Sequence, residues 1–158
     1  MDSNLFNHIN IPGNNTHVPC GTGTDCAADA LLSDEMIDAA GGIDVQVLGI
    51  GNTGHIGFNE PDAVFHGETH VVDLSDSTID ANMRFFARRE DVPRQAITLG
   101  MRGIIRAKKI ILLAFGKAKA DAIRTMVHEE IDPQCPASIL QLHPDVTLLL
   151  DREAASGL

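Results

Sequence analysis

Apolar residues recur along this chain with two different spacings, and the alternation between them sketches a fold. From Asp25 to Ala40 the positions Ala28, Leu31, Leu32, Met36 and Ala39 keep helical intervals, and Gly41-Gly42 supply a stop, which predicts a helix. Ile43 to Leu48 is short, apolar and partly β-branched, a strand pattern, and Thr69 to Leu74 is a second one. Ser77 with Asp80 three residues on resembles a helix start, with Ile79, Met83 and Phe86 as the apolar stripe and Pro93 as the end. Ala96 to Leu99 predicts a short strand and Met101 to Ala107 at most two helical turns. Lys109 to Phe115 is the strongest strand, its large apolar residues in unbroken succession as when both faces are covered. Gly116 to Glu130 predicts a helix with Ala122, Ile123, Met126 and Val127 inward, and Ile139–Leu142 and Val146–Leu150 predict two last strands around His143-Pro144. Strands alternating with helices predict an α/β fold with a mostly parallel sheet, over residues 1–158 as one domain. Met1 to Thr24 is polar and rich in Asn, Gly and Pro, and reads as an irregular lead-in.

Composition narrows the function classes. With 22 acidic and 12 basic residues the chain carries a formal charge of −10, which argues against a nucleic-acid or an anionic-membrane surface. A phosphorylated small molecule stays open, since one or two local cations suffice to hold it. Cys20, Cys26 and Cys135 are an odd set without metal-ligand spacing, and no metal is expected. No apolar run is long enough to span a bilayer and no signal peptide opens the chain, so a reducing, cytoplasmic setting is expected.

The stretch Gly49-Ile50-Gly51-Asn52-Thr53-Gly54-His55-Ile56-Gly57-Phe58-Asn59-Glu60-Pro61 concentrates the chemistry. Gly49, Gly51 and Gly54 satisfy the glycine spacing of a dinucleotide loop after a strand, and Asp73 ends the next strand where a ribose carboxylate would sit. That reading needs a helix opening among the glycines, and Gly57, Pro61 and Gly67 interrupt the connection instead. The same stretch places His55 and Glu60 five residues apart on a loop leaving the C-terminal end of a strand, the ligand-binding edge of an open α/β sheet. A neutral imidazole shuttles protons near neutrality, and a carboxylate beside it fixes its tautomer. The plainer alternative has His55 on a backbone carbonyl and Glu60 facing water.

The segment from Gly49 through His55-Ile56-Gly57-Phe58-Asn59-Glu60-Pro61 resembles the signature of the isomerising glucosamine-6-phosphate deaminases. The resemblance runs through Leu5–Pro12, Gly41–Asp44, Asn82–Phe86 and Ser138–Pro144, and the Asn-Glu-Pro after the His separates the chain from the related 6-phosphogluconolactonases. It implies a Rossmann-like three-layer α/β domain and a hydrolase or aldose–ketose isomerase type of enzyme in amino-sugar and N-acetylglucosamine catabolism. The reaction implied turns glucosamine 6-phosphate and water into fructose 6-phosphate and ammonia, with no cofactor. His55 and Glu60 would open the sugar ring, Arg84 and Lys119 would hold the phosphate, with Lys117 a neighbour able to replace Lys119, and Gly51, Asn52 and Gly54 would line the sugar. Thr53 stands where many members carry an Asp that works with the dyad, so the relay here would lack that charge. The family's N-terminal strand–helix units, with the Asp that takes the C2 proton, have no match before Gly41; Cys20–Thr24 reads as a flexible turn. The domain is therefore expected to be shortened at its N-terminus, weakly active, and prone to associate as a homo-oligomer through uncovered sheet edge and apolar faces. A non-catalytic sugar-phosphate-binding module is the alternative of another class.

Overall fold

The computed structural model describes residues 1–21, 23 and 25–158, so Thr22 and Thr24 of the expected Cys20–Thr24 turn lie outside the described residues. After two isolated 3₁₀ turns, helix α1 runs Cys26–Ala39. Asp25 caps it by accepting from the Ala28 N–H at 3.0 Å, and Gly41 and Gly42, both at φ +90°, turn the chain out of it in a conformation other residues resist.

Five strands follow in chain order: β1 (Val45–Gly49), β2 (His70–Asp73), β3 (Gln95–Thr98), β4 (Lys109–Ala114) and β5 (Val146–Leu150). β1, β4 and β5 form a parallel sheet in the order β1-β4-β5, with β4 in the middle. β2 and β3 pair antiparallel in a separate two-stranded sheet, so the second predicted strand exists but leaves the main sheet. Between them lie helix α2 (Asp76–Asn82) and a 3₁₀ turn (Met83–Phe85); helix α3 (Met101–Ile105) precedes β4, and helix α4 (Ala120–His128) follows it. The mixed α/β class and the mostly parallel sheet are as expected.

The main core gathers Leu48, Ile50 and Ile56 around β1 with Ile110 and Leu112 of β4, Met101 and Ile104 of α3, and Ile123 and Met126 of α4. In β4 the burial alternates, Ile110, Leu112 and Ala114 fully inside and Lys109, Ile111 and Leu113 half-exposed, so one face of this strand is covered more deeply than the other.

Three expectations need correction. The predicted strand Ile139–Leu142 is a 3₁₀ segment over Pro136–Leu142, because Pro136 opens it and the Ser138 hydroxyl holds both the N–H and the carbonyl of Asp132. A short apolar run fits a buried strand and a buried helical turn alike, and the local bonds decide. Helix α2 starts two residues early, capped by Ser75 rather than Ser77, and of its expected stripe only Ile79 is buried while Met83 and Phe86 are exposed. Helix α1 likewise buries only Ala30; Leu31 and Leu32 face outward, and the helix docks on the second sheet through Asp34, whose carboxylate accepts from the Thr69 N–H at 2.8 Å and hydroxyl at 2.5 Å.

Candidate functional site

Because β1 and β4 are adjacent and parallel, the loops leaving Gly49 and Ala114 emerge at one edge of the sheet. A cleft of about 490 Å³ opens there, lined by Gly49 to Thr53, His55, Gly57, Phe58, the α2 residues Ser77, Thr78, Ala81 and Asn82, and by Arg84 and Lys119. The structure thus brings Gly51, Asn52, Thr53, His55, Arg84 and Lys119 to one hollow. Another hollow, of about 330 Å³, sits by the opposite end of β1 between α1 and α3, where Arg102 pairs with Glu68 and Asp34 and Arg106 with Asp38.

The loop is folded by its own backbone and by one side chain. The Gly51 N–H donates to the His55 carbonyl at 2.9 Å and the Gly54 N–H to the Gly51 carbonyl at 3.1 Å, closing a tight turn. Ile56 plugs into the core, and buried Asn59 donates its amide to the carbonyls of Ile56 and Leu99, both at 2.9 Å. His55 is thereby held between the Gly51–Gly54 turn and the buried Ile56. Its ring lies so close over Gly51 that a Cβ there would sit 2.1 Å from Cε1.

His55 Nδ1 lies 3.4 Å from Glu60 Oε2 and 3.2 Å from the Thr53 hydroxyl. Both side chains of the pair are largely withdrawn from water, 20 % and 14 % exposed. Burial lowers the His55 pKa from its ordinary 6.5; the Glu60 charge works against this and the Lys119 charge with it. The imidazole is therefore held neutral, able to accept a proton. Glu60 stands behind it: its Oε1 accepts from the hydroxyls of Ser75, at 3.1 Å, and Thr78.

Arg84 sits on the 3₁₀ turn after α2, its guanidinium 4.7 Å above the Phe85 ring. Burial and the Arg84 charge both lower the pKa of Lys119, which places two cations near each other at the cleft. Lys119 lies in the first helical turn after Gly116, as expected, though that turn is a 3₁₀ turn (Lys117–Lys119) leading directly into α4. Lys117 turns away, its ammonium bonded to the Ser156 hydroxyl at 2.8 Å, so the cleft takes Lys119 and not its neighbour.

Gly54 does not reach the cleft as expected. It is buried at φ +81° with Cys135 Sγ packed where a side chain would point, so its role is to turn the loop. The dinucleotide alternative fails on two counts: no helix opens among the glycines, and Asp73 belongs to the other sheet, its carboxylate accepting from Gln95 at 2.8 Å. His143 is structural, its Nε2 donating to the Ala107 carbonyl at 2.7 Å and its Nδ1 accepting from the Asp145 N–H at 3.1 Å. Sequence reasoning missed Ser75 and Thr78; the signal available was the Ser-x-x-Thr spacing at a helix start, obscured by placing that start at Ser77. None of the described residues lining the cleft carries a carboxylate. Among the described residues no group of three or more His, Cys, Asp or Glu is arranged to hold a metal ion, and no helix is long and apolar enough to cross a membrane.

Residues 1–149 match the family described as glucosamine-6-phosphate isomerases/6-phosphogluconolactonase. The glucosamine-6-phosphate deaminase of Clostridioides difficile (strain 630) is 54 % identical over all 158 residues, which cover 64 % of its own length. That of Thermoanaerobacter pseudethanolicus is 53 % identical over 99 % of this chain and 62 % of its own. The chain thus spans a little under two thirds of these curated relatives. A solved monomeric glucosamine-6-phosphate deaminase superposes with a TM-score of 0.96 at 43 % identity, over the whole of this chain and 66 % of that one. The 6-phosphogluconolactonase of Leishmania guyanensis is more distant, with a TM-score of 0.57 at 28 % identity over 74 % of this chain and 42 % of its own. These neighbours also carry the Rossmann-like fold that the resemblance implied. With all but its last nine residues inside one family match, and more than half its positions identical to the deaminases of these two organisms, this chain belongs to the glucosamine-6-phosphate isomerase/6-phosphogluconolactonase family.

Proposed function

We propose that this chain carries the ring-opening and phosphate-holding parts of an isomerising glucosamine-6-phosphate deaminase. The observation that supports it most is the convergence of a neutral, carboxylate-backed His55 and two cations, Arg84 and Lys119, on one cleft. In this reading the phosphate lies between Arg84 and Lys119, and the anomeric end of the sugar faces His55. With Nδ1–H directed at Glu60, Nε2 takes the proton of the anomeric hydroxyl and delivers it to the ring oxygen, which opens the ring. Thr53 accepts a share of the same Nδ1–H and adds no charge. The open aldose then loses its C2 proton, becomes an enolamine, and is reprotonated at C1; water adds to the resulting C2 imine and ammonia leaves. Water enters only at that last step, so the chemistry is that of an isomerase–deaminase rather than of a plain hydrolase, and the amine itself serves as electron sink.

The C2 step needs a base about 3 Å from the proton. Glu60 is committed behind His55, and Asp62 points elsewhere, paired with His66 at 2.9 Å. The acid-free lining favours a second reading, a sugar-phosphate-binding module without deamination. One experiment separates the two. Glucosamine 6-phosphate is incubated with the purified chain while anomer exchange is followed by NMR and ammonia by a coupled assay. Accelerated anomer exchange with little ammonia is the expected result; no acceleration leaves only binding, and ammonia at ordinary enzymatic turnover would mean that a residue of this chain other than His55 or Glu60 serves as the C2 base.

The same reading puts the protein in the cytoplasm, in amino-sugar breakdown, as a single domain. Self-association through the outward apolar residues of α1 and β1 is expected and is checked by sedimentation over a concentration series.

A further inference from the structure

We propose that Ser75 and Thr78 are positioning residues for His55, acting through Glu60 to fix which imidazole nitrogen carries the proton. The inference rests on the ring-opening reading only for the use made of His55; the geometry stands without it.

Glu60 carries a carboxylate that is only 14 % exposed, and a buried carboxylate requires donors. Both donors to Oε1 come from the start of α2. The hydroxyl protons at that helix end all run toward Oε1. The Thr78 hydroxyl gives its proton to Oε1, and the Ser75 hydroxyl, 3.1 Å from Oε1 and 3.0 Å from the Thr78 oxygen, supports it directly or in series through Thr78. The Ser75 oxygen then accepts from the Thr78 N–H at 3.2 Å, capping the helix, and from the Ser77 hydroxyl at 3.0 Å. With Oε1 held by this hydroxyl pair, Oε2 is the carboxylate oxygen left for His55 Nδ1, at 3.4 Å, beside the Thr53 hydroxyl at 3.2 Å. A carboxylate oxygen facing Nδ1 favours the tautomer with the proton on that nitrogen, because the other tautomer would set two lone pairs against each other. Free histidine prefers the proton on Nε2, so the site has to impose the opposite choice, and a carboxylate free to swing imposes it poorly.

Thr78 is buried at the cleft wall, a place where a β-branched residue is no better for the helix than many others. Its hydroxyl is spent on Glu60 rather than on the helix. A purely structural role, satisfying a buried carboxylate, would leave the His55 tautomer indifferent to the hydroxyl, and that difference is measurable.

The test is ¹⁵N NMR of the His55 ring in the purified chain without substrate, at a pH where the imidazole is neutral. Wild-type His55 is expected as the Nδ1–H tautomer. Thr78→Val keeps shape and removes the hydroxyl, and should raise the Nε2–H to Nδ1–H ratio about tenfold, the order expected for losing one hydrogen bond to a charged group. Thr78→Ser restores the hydroxyl and should stay within about twofold of wild type. Ser75→Gly removes the other donor while retaining a tolerated cap residue, and should shift the ratio in the same direction as Thr78→Val even if the latter fails to fold. A wild-type ring already in the Nε2–H form, an unmoved ratio in folded Thr78→Val or Ser75→Gly, or a Thr78→Ser shift as large as that of Val overturns the proposal. Because no substrate is present, a chain that fails to open sugar rings still decides the matter, and a chain that opens them with an indifferent tautomer rejects it.

Discussion

Replacing Gly51 by Ala should disable the site while sparing the fold, and the size of both effects follows from one contact. An added Cβ would stand 2.1 Å from His55 Cε1 and 2.3 Å from each ring nitrogen. Ordinary carbon contacts begin near ~3.5 Å, so the ring must recede by more than about 1 Å. The backbone cannot take up that shift, because the Gly51 N–H is bonded to the His55 carbonyl at 2.9 Å. The side chain can, because it borders an open cleft. Gly51 is not among the glycines with positive φ, so alanine brings no backbone strain there. The cost to the fold is that of an off-rotamer imidazole, about 1 kcal/mol, or a melting-temperature loss of about 3 °C for a chain of this size. The cost to the site is larger. The His55–Glu60 approach is already 3.4 Å, and a displacement of about 1 Å at a reacting group removes on the order of a hundredfold in rate. The assay combines a thermal melt with anomer exchange of glucosamine 6-phosphate. A Gly51→Ala chain that melts as expected and retains wild-type exchange would show that the ring contact does not set His55, and would refute the reasoning.

Titrating His55 by NMR should give a midpoint below 6.5, since burial outweighs the Glu60 charge; Glu60→Gln should move it further down and Lys119→Ala up. The stability gained by keeping this ring neutral is full above 6.5 and is lost as pH falls from 6.5 through the lowered native value, so chemical denaturation midpoints should decline over that window and much less in His55→Phe. Arg84→Ala should weaken the binding of inorganic phosphate at least about tenfold by calorimetry while leaving the His55 midpoint in place, because Lys119 and not Arg84 acts on that ring. His143→Phe should cost about 2 kcal/mol or more in denaturant unfolding, since the Ala107 carbonyl and the Asp145 N–H both lose a partner beside a buried side chain; an unchanged midpoint would contradict the structural role given to this histidine.

The site was more legible than the packing. His55, Glu60 and Thr53 lie within one short loop, so their meeting is a local matter that spacing and a specific string of residues express directly. Lys119 was legible through the family resemblance, but what keeps Lys117 out of the cleft was not, because Ser156, a residue far along the chain, takes the Lys117 ammonium. Ser75 and Thr78 escaped for a related reason: their partner Glu60 is 15 and 18 residues away, and nothing in a Ser-x-x-Thr pattern distinguishes a cap from a cap that also holds a carboxylate. The strands of the main sheet were legible as apolar runs, but the departure of β2 to an antiparallel pair was not, since a half-buried strand reads alike in either setting. The 3₁₀ segment at Pro136–Leu142 shows the same limit for a short run whose form is set by hydrogen bonds to Asp132.

The two sides of β1 carry different loads, and this explains how the dyad keeps its shape in a sheet of only three strands. β1 is an outer strand with β4 on one side, and Val45 and Val47 are 50 % and 60 % exposed. Leu48, Ile50 and Ile56, which lead into and through the His55 loop, lie instead in the common core with β4, α3 and α4. The imidazole therefore depends on the buried side of the strand, and covering the outward side would add stability without having to move His55. Arg84 is tied to the same dyad by another route, because the helix that precedes it holds Glu60 through Thr78 and the capping Ser75. The ring-opening and phosphate-holding roles proposed for His55 and Arg84 would thus draw on elements that share one scaffold. Removal of the C2 proton does not, since no carboxylate of the described residues reaches the cleft. Under the proposed function, opening the sugar and isomerising it are separable tasks, and the cleft holds groups suited to the first.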